Sequence, residues 1–312
     1  MSLVCIALTS CAPEQVEVEE AAPVEEPAAV EEEPEEVYVI GFAVSTLANP
    51  FFVSMKDGGE AMAAELGMEI ITLDAQDDIE KQASQIEDLI SREVDLIIVN
   101  PCDSDAIATS VIDINNAGIP VITVTRPSNG GEVLQHLDVD NSFAGKLVAD
   151  EMVKVLDGVG KVAILEGIAG APSAEARQKG FMDVVEGVEG IEVVASLTAN
   201  YAREEGASVM EDVLQANPEL DAVYAHNDEM ALGAVRAIIA AGRLDEIKVF
   251  GVDAVDDALA AIAKGEMVAT VMQQPYLQMG KAVEAAKAVL DGGTVETLVI
   301  IPLLLINAEN LP

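Results

Sequence analysis

Ten residues scattered along the chain share one property. Ser45, Asn49, Phe51, Phe52, Arg126, Arg177, Tyr201, Asn227, Asp253 and Gln273 each follow an apolar run that reads as a strand. Asn, Arg, Asp and Gln present planar polar groups, each able to engage two neighbouring hydroxyls, while aromatic faces cover C–H surface. A small polyhydroxylated ring needs both kinds of surface. The chain has six Phe, four Tyr and no Trp, yet three of these aromatics fall beside the polar groups. Read singly, each residue has an ordinary structural role: Phe51 and Phe52 as core, Arg126 and Arg177 as surface arginines, Asp253 as a helix cap. Their joint placement is what points to a recognition site for a small sugar.

Covalent chemistry is harder to find. Of the two histidines, His136 lies near a connecting segment and His226 precedes Asn227. There is no GxSxG elbow, and no cysteine sits in a nucleophile motif. Gly158-Val159-Gly160-Lys161 lacks the upstream glycine and the following Ser or Thr of a phosphate loop, so it reads as a turn. Asp103 and Asp105 read as helix-capping residues after an apolar strand rather than as metal ligands. No cofactor and no metal are expected. The reading is of a binding protein, with an enzyme as its rival on the same class of fold.

The elements that must position these residues alternate regularly. Apolar runs VYVIGFAV, MEIITLD, VDLIIVN and PVITVT are separated by amphipathic stretches near 51–66, 78–92 and 105–117. HLDV at 136–139 reads as a crossing segment. The rhythm restarts with a helix near 142–156, then strands KVAILEG, IEVVASL, AVYAHN, IKVFGVD and MVATVMQQ with helices between them. A last helix near 276–291 precedes LVIIPLLLI, which reads as one buried terminal strand: nine residues containing Pro302 cannot span a membrane. The βαβ rhythm implies an α/β protein with two doubly wound parallel-sheet lobes. Open α/β sheets bind ligands beyond the carboxyl ends of their strands, where the candidates lie.

Charge narrows the partners. With 16 Lys and Arg against 56 Asp and Glu, the net charge of −40 repels nucleic-acid backbones and anionic lipid headgroups. Part of it is local, because residues 12–36 contain eleven Glu, no basic residue and no helical or strand periodicity. That composition reads as a disordered acidic tether. It also counts against a sugar-responsive repressor, which would need a basic DNA-reading headpiece. Before it, Leu8-Thr9-Ser10-Cys11 is similar to a bacterial lipobox, so residues 1–11 read as the remnant of a signal with Cys11 as lipidation site and the true start upstream. Cys5, Cys11 and Cys102 make no disulfide framework, and Cys102 reads as a small hydrophobe.

Long segments also carry a likeness. VSTLANPFFVSMKDG at 44–58 closely resembles the opening motif of bacterial periplasmic ribose-binding proteins, the type I periplasmic binding proteins that serve sugar ABC transporters. NPCDSDA at 100–106, IPVITVTR at 119–126, GIAGAPSAEARQKGF at 167–181, HNDEMALGA at 226–234 and FGVDA at 250–254 match in order. The resemblance runs from residue 37 onward. It implies sugar contacts at Asn49, Phe51, Phe52, Arg126, Arg177, Tyr201, Asn227, Asp253 and Gln273. It implies two lobes, 37–139 plus 274–302 and 140–273 plus 303–312, joined by three crossings near 138–141, 273–275 and 302–304, which close around the sugar. It implies an extracytoplasmic protein that delivers its sugar to an ABC permease, with a chemoreceptor as a possible further partner and a lipid anchor as its membrane attachment.

Two positions depart from the pattern. Thr125 stands where the family usually has Asp, and Tyr201 where it usually has Phe. Exchanging a carboxylate for one hydroxyl costs about 1.5–3 kcal/mol for a ligand that used it. The expected cargo therefore widens from ribose to a related pentose, hexose or polyol.

Overall fold

The computed structural model of the chain describes residues 2–4, 7, 9, 10 and 37–312. Cys11 and the acidic stretch at 12–36 lie outside the described residues, as does part of the expected signal remnant. Met1–Glu36 and Val37–Pro312 separate as two units, and all regular structure described lies in the second.

In chain order its first half runs β1 (Val39–Val44), α1 (Pro50–Glu65), β2 (Glu69–Asp74), α2 (Ile79–Ser91), β3 (Leu96–Val99), α3 (Ile107–Asn116), β4 (Val121–Val124) and β5 (Gln135–Val139). There follow α4 (Asn141–Val155), β6 (Gly160–Glu166), α5 (Pro172–Val185), β7 (Ile191–Thr198), α6 (Arg203–Ala216), β8 (Ala222–Ala225), α7 (Asp228–Ala240), β9 (Lys248–Asp253), α8 (Asp256–Ala263) and β10 (Ala269–Met272). The chain ends with α9 (Pro275–Leu290), β11 (Leu298–Ile301) and β12 (Leu304–Asn307).

The strands form two six-stranded sheets, ordered β11-β5-β4-β3-β1-β2 and β12-β10-β9-β8-β6-β7. β3, β4 and β8 are buried along their whole length, which is why they read as unbroken apolar runs without alternation. Alternate residues of the first sheet feed cores on opposite faces. Ile40, Phe42 and Val44 pack with Met55 and Met279 on one side, while Ala43, Ile97 and Val99 pack with Leu89 and Ile114 on the other. Phe181 and Tyr224 stack in the core of the second sheet, 4.6 Å apart. Burying rings of this size contributes roughly 2–3 kcal/mol each.

Helix starts are written into the strand-to-helix loops. Asn49, Asp78, Asp140 and Asn227 accept hydrogen bonds from the first turns of α1, α2, α4 and α7. Proline occupies the first turn of α1, α5 and α9, where its missing N–H costs no intrahelical bond.

Three details correct the sequence reading. LVIIPLLLI is not one buried strand: it breaks at Pro302 into β11, parallel to β5 in the first sheet, and β12, antiparallel to β10 in the second. As edge strands these leave Leu298, Ile300 and Leu304 about half exposed. The second sheet is accordingly mixed rather than wholly parallel. HLDV belongs to β5, a full member of the first sheet paired with both β4 and β11, and the passage to the second sheet begins only after it. The chain changes sheet three times: between β5 and β6 by way of α4, between β10 and β11 by way of α9, and between β11 and β12.

Among the described residues the ion pairs are mostly surface pairs, as in Lys56–Glu60 and Lys146–Asp150 at i,i+4. Such pairs contribute little, so the fold rests on its apolar layers. No described helix is long and apolar enough to cross a membrane.

Candidate functional site

A cavity of about 340 Å³ opens where loops from the carboxyl ends of both sheets meet. Its size suits a small ligand. Loops and the start of α1 on the first side contribute Asn49, Phe51, Phe52, Thr125 and Arg126; loops, strand ends and α5 on the second contribute Arg177, Tyr201, Asn227, Asp253 and Gln273. Ten of the eleven residues predicted from sequence thus line one space. Ser45 is the exception. It is fully buried beneath the loop, where its hydroxyl donates to Asn100 Oδ1 at 2.7 Å and so secures the end of β1 against β3.

On the first side, Asn49 caps α1 by accepting from the Phe51 N–H at 2.9 Å. This fixes the helix start and directs Phe51 and Phe52 into an edge-to-face pair with centroids 5.1 Å apart. Both rings are buried against the core as well as lining the cavity, so the core-packing role and the ligand-facing role coexist. The Arg126 guanidinium lies 6.0 Å from the Phe52 ring and donates through Nη1 to Pro101 O at 2.8 Å. Thr125 takes a left-handed backbone, φ 66°, and its hydroxyl reaches Gln278 Oε1 at 3.4 Å.

The second side is a continuous polar network. Arg177 donates through Nε to Asn141 Oδ1 at 3.0 Å and through Nη1 to the His226 carbonyl. It can sit there because α4 and α5 touch at glycines: a Cβ on Gly145 would overlap the Arg177 carbonyl, and one on Gly180 the Ser142 carbonyl. His226 accepts from Gly167 N–H at Nδ1, 3.2 Å, which leaves Nε2 to donate to Gln178 Oε1 at 3.0 Å. Burial, with Arg177 nearby, holds the imidazole down at about 3, so it is neutral. His226 is therefore a buried buttress of the wall.

Asn227 caps α7 through Met230 N–H at 3.0 Å and donates to Tyr201 O at 3.1 Å. The Tyr201 ring lies over Gly167, where any Cβ would overlap it, and its hydroxyl meets Ser173 Oγ at 3.0 Å. Asp253 does not cap the next helix, whose cap position is Val255; its carboxylate accepts from Gln273 Nε2. Burial pushes Asp253 well up from the usual carboxylate range and Asp228 adds to this, while Arg177 pulls the other way. Asp228 sits behind the loop, accepting from Thr270 Oγ1 at 2.7 Å and Val255 N–H at 3.1 Å; burial raises it to about 6.

Several lining residues were not anticipated: Thr46, Asp77, Ile168, Ser173, Asn200, Arg203, Glu204 and Glu229. Arg203 and Glu229 form a two-bond pair at the mouth, 2.8 and 2.6 Å, with Asp257 also on Arg203. They begin helices rather than end strands, which hid them. A wider cleft of about 820 Å³ lies between α1, α9 and the loop after β9. Its walls are mainly apolar with a few acidic side chains, and it lacks the converging donors and acceptors of the smaller cavity.

Other motifs resolve structurally. Neither Asp103 nor Asp105 is the side-chain cap of α3, whose cap position is Ala106: Asp103 accepts from the Asp105 and Ala106 N–H groups in the turn before the helix, and Asp105 accepts from Asn129. No metal-ligating cluster occurs among the described residues. Cys102 is half-buried and its thiol is pushed up to about 12 by burial and nearby carboxylates, which keeps it protonated and unreactive. His136 Nδ1 lies 2.9 Å from Thr123 Oγ1 within the first sheet, a structural contact.

This geometry has close counterparts. The periplasmic binding protein domain model matches residues 40–294. The ribose import binding protein of Bacillus subtilis (strain 168) is 43% identical over 266 residues, 85% of this chain and 86% of that protein. An ABC transporter solute binding protein from Bacillus halodurans C-125, solved with bound myo-inositol, superimposes with a TM-score of 0.83 at 37% identity, covering 88% of this chain and 96% of that one. A periplasmic solute binding protein of an ABC transporter from Actinobacillus succinogenes 130z, solved with bound D-allose, gives 0.84 at 30% identity over 87% and 98%.

Proposed function

Because the chain belongs to the periplasmic binding protein family, we propose that it is the extracytoplasmic solute-binding component of a sugar ABC importer. It encloses a monosaccharide or related polyol between its two sheets and hands it to a membrane permease. The observation that carries this reading is the composition of one cavity. Phe51, Phe52 and Arg126 from the first sheet face Arg177, Asn227, Asp253 and Gln273 from the second. Rings cover the C–H faces of a sugar, and the planar groups take its hydroxyls in pairs. A ligand that touches both walls favours the closed form by the contacts that only closure provides.

The lobes are 37–139 plus 274–302 and 140–273 plus 303–312, with the hinge at the three crossings near 138–141, 273–275 and 302–304. The binding residues are those that line the cavity; the contacts implied by the motifs, less Ser45, are the set to test. Binding without turnover is the expected activity, since the site offers no activated nucleophile and its histidine is held neutral behind the wall. Attachment to the membrane through a lipid on Cys11 extends the same reading.

Calorimetry with D-ribose, D-allose, myo-inositol and a series of other pentoses, hexoses and polyols tests the proposal. One of them is expected to bind with micromolar or tighter affinity and to be recovered unchanged. Binding no tighter than millimolar across the series, or conversion of any sugar, would reject it.

A further inference from the structure

The first wall carries a carboxylate that the family resemblance does not place there. Thr125 cannot supply one, and its hydroxyl is turned toward Gln278. Asp77, in the loop between β2 and α2, lines the same cavity beside Arg126 and Thr46. Gln76 and Asp77 are consecutive non-glycine residues in the left-handed region, each with φ 58°, a conformation that persists only when the surroundings enforce it.

The enforcement is visible. Asp74 accepts from both Leu47 N–H at 3.1 Å and Gln76 N–H at 2.9 Å, tying this loop to the one after β1. The Asp77 N–H donates to Ser45 O at 2.7 Å, and Asp78 caps α2 through Lys81 N–H at 2.9 Å. The bond to Ser45 holds the Asp77 backbone, and its exposed side chain lines the cavity. Desolvation there pushes its pKa up, against the pull of the Arg126 charge and the Thr46 hydroxyl. Arg126 in turn engages protein carbonyls only through Nη1, with Pro101 and Cys102 as acceptors. Its other guanidinium N–H groups have no hydrogen-bond acceptor among the described residues.

We propose that Asp77 and Arg126 together grip one sugar hydroxyl or a neighbouring pair, making Asp77 the specificity-determining carboxylate of the first wall in place of a residue at position 125. The hydroxyl donates to the carboxylate and accepts from the guanidinium. Because Asp77 reaches the cavity from a different loop, it meets a different edge of the ring than a carboxylate at position 125 would, and the preferred sugar differs accordingly. The inference rests on the proposed sugar-binding function.

The test is calorimetry of the full chain and of the isosteric variant Asp77→Asn with D-ribose, D-allose and myo-inositol, with circular-dichroism melts to confirm that both fold. Asp77→Asn is expected to weaken the tightest of the three by about tenfold or more, as loss of a charge-assisted bond would. Combining it with Thr125→Asp is expected to move the ranking toward ribose. If the unaltered chain binds and Asp77→Asn stays within about twofold for every sugar, the assignment to Asp77 is overturned while sugar binding stands. If the unaltered chain binds none of them and nothing else in the wider series of pentoses, hexoses and polyols, both fall together.

Discussion

The two walls of the cavity are built differently. On the second, almost every polar side chain is already bonded to another: Arg177 to Asn141 and the His226 carbonyl, His226 to Gly167 and Gln178, Asp253 to Gln273, Asn227 to the Tyr201 carbonyl. On the first, two rings and one arginine stand on separate elements, and few side chains are tied to one another. A wall whose dipoles are fixed in advance pays little reorganisation on binding and supplies affinity. A wall of separate groups on separate loops can change one group without disturbing the rest. It is on the first wall that Thr125 stands where the resemblance implies a carboxylate, and there that Asp77 is proposed to supply one.

The arginines put that contrast at risk most severely. Arg177→Ala removes a buried cation from Asn141, the His226 carbonyl and the neighbourhood of Asp253. It is expected to cost at least about 100-fold in sugar affinity and about 3 kcal/mol in stability. Arg126→Ala removes the bonds to the Pro101 and Cys102 carbonyls and the contact over Phe52, with an expected loss of about tenfold in affinity and about 1 kcal/mol in stability. Calorimetry and denaturant melts of the pair measure both. Equal effects, or a larger one at Arg126, would mean that the walls do not differ as described.

A smaller and more specific effect concerns His226. Its folded pKa of about 3 lies below the ordinary histidine value, so between these limits the unfolded chain binds the extra proton and the native state does not. The stability this neutral imidazole contributes is present above about pH 6.5 and is lost as pH falls toward 3, at up to about 1.4 kcal/mol per pH unit. His226→Gln keeps an acceptor for Gly167 but does not titrate. The melting temperature of the unaltered chain is expected to fall relative to that of the variant between pH 6.5 and 4; parallel curves would show that the imidazole is not held neutral. The opposite sign applies to Asp228, whose raised pKa favours the native state at the acid end and ceases to do so as pH rises through about 6. Comparing His226→Gln with Asp228→Asn separates these contributions.

Much of this was legible before the fold was known. The strands of the sheet centres are unbroken apolar runs, and the residues that follow them are the ones that line the cavity, because the carboxyl ends of parallel strands are where loops converge. What stayed hidden has physical reasons. Pro302 sits inside an apolar run whose two halves belong to different sheets, and composition alone cannot show that change of partner. Ser45 has the right position but turns inward to Asn100. Asp77 lies three residues beyond a strand end, and its direction depends on a left-handed backbone held by Asp74 and Ser45, for which no glycine gives notice. Arg203 and Glu229 face the cavity only because α6 and α7 start there, their approach set by Gly206 and Gly233.

The central claim is that one small molecule is shared by both walls and draws them together. Small-angle X-ray scattering of the ligand-free chain, and of the chain saturated with the sugar that binds it in calorimetry, tests this most directly. A smaller radius of gyration on saturation, absent from Arg177→Ala in the same sugar concentration, is the predicted result; saturated binding with an unchanged radius would contradict it.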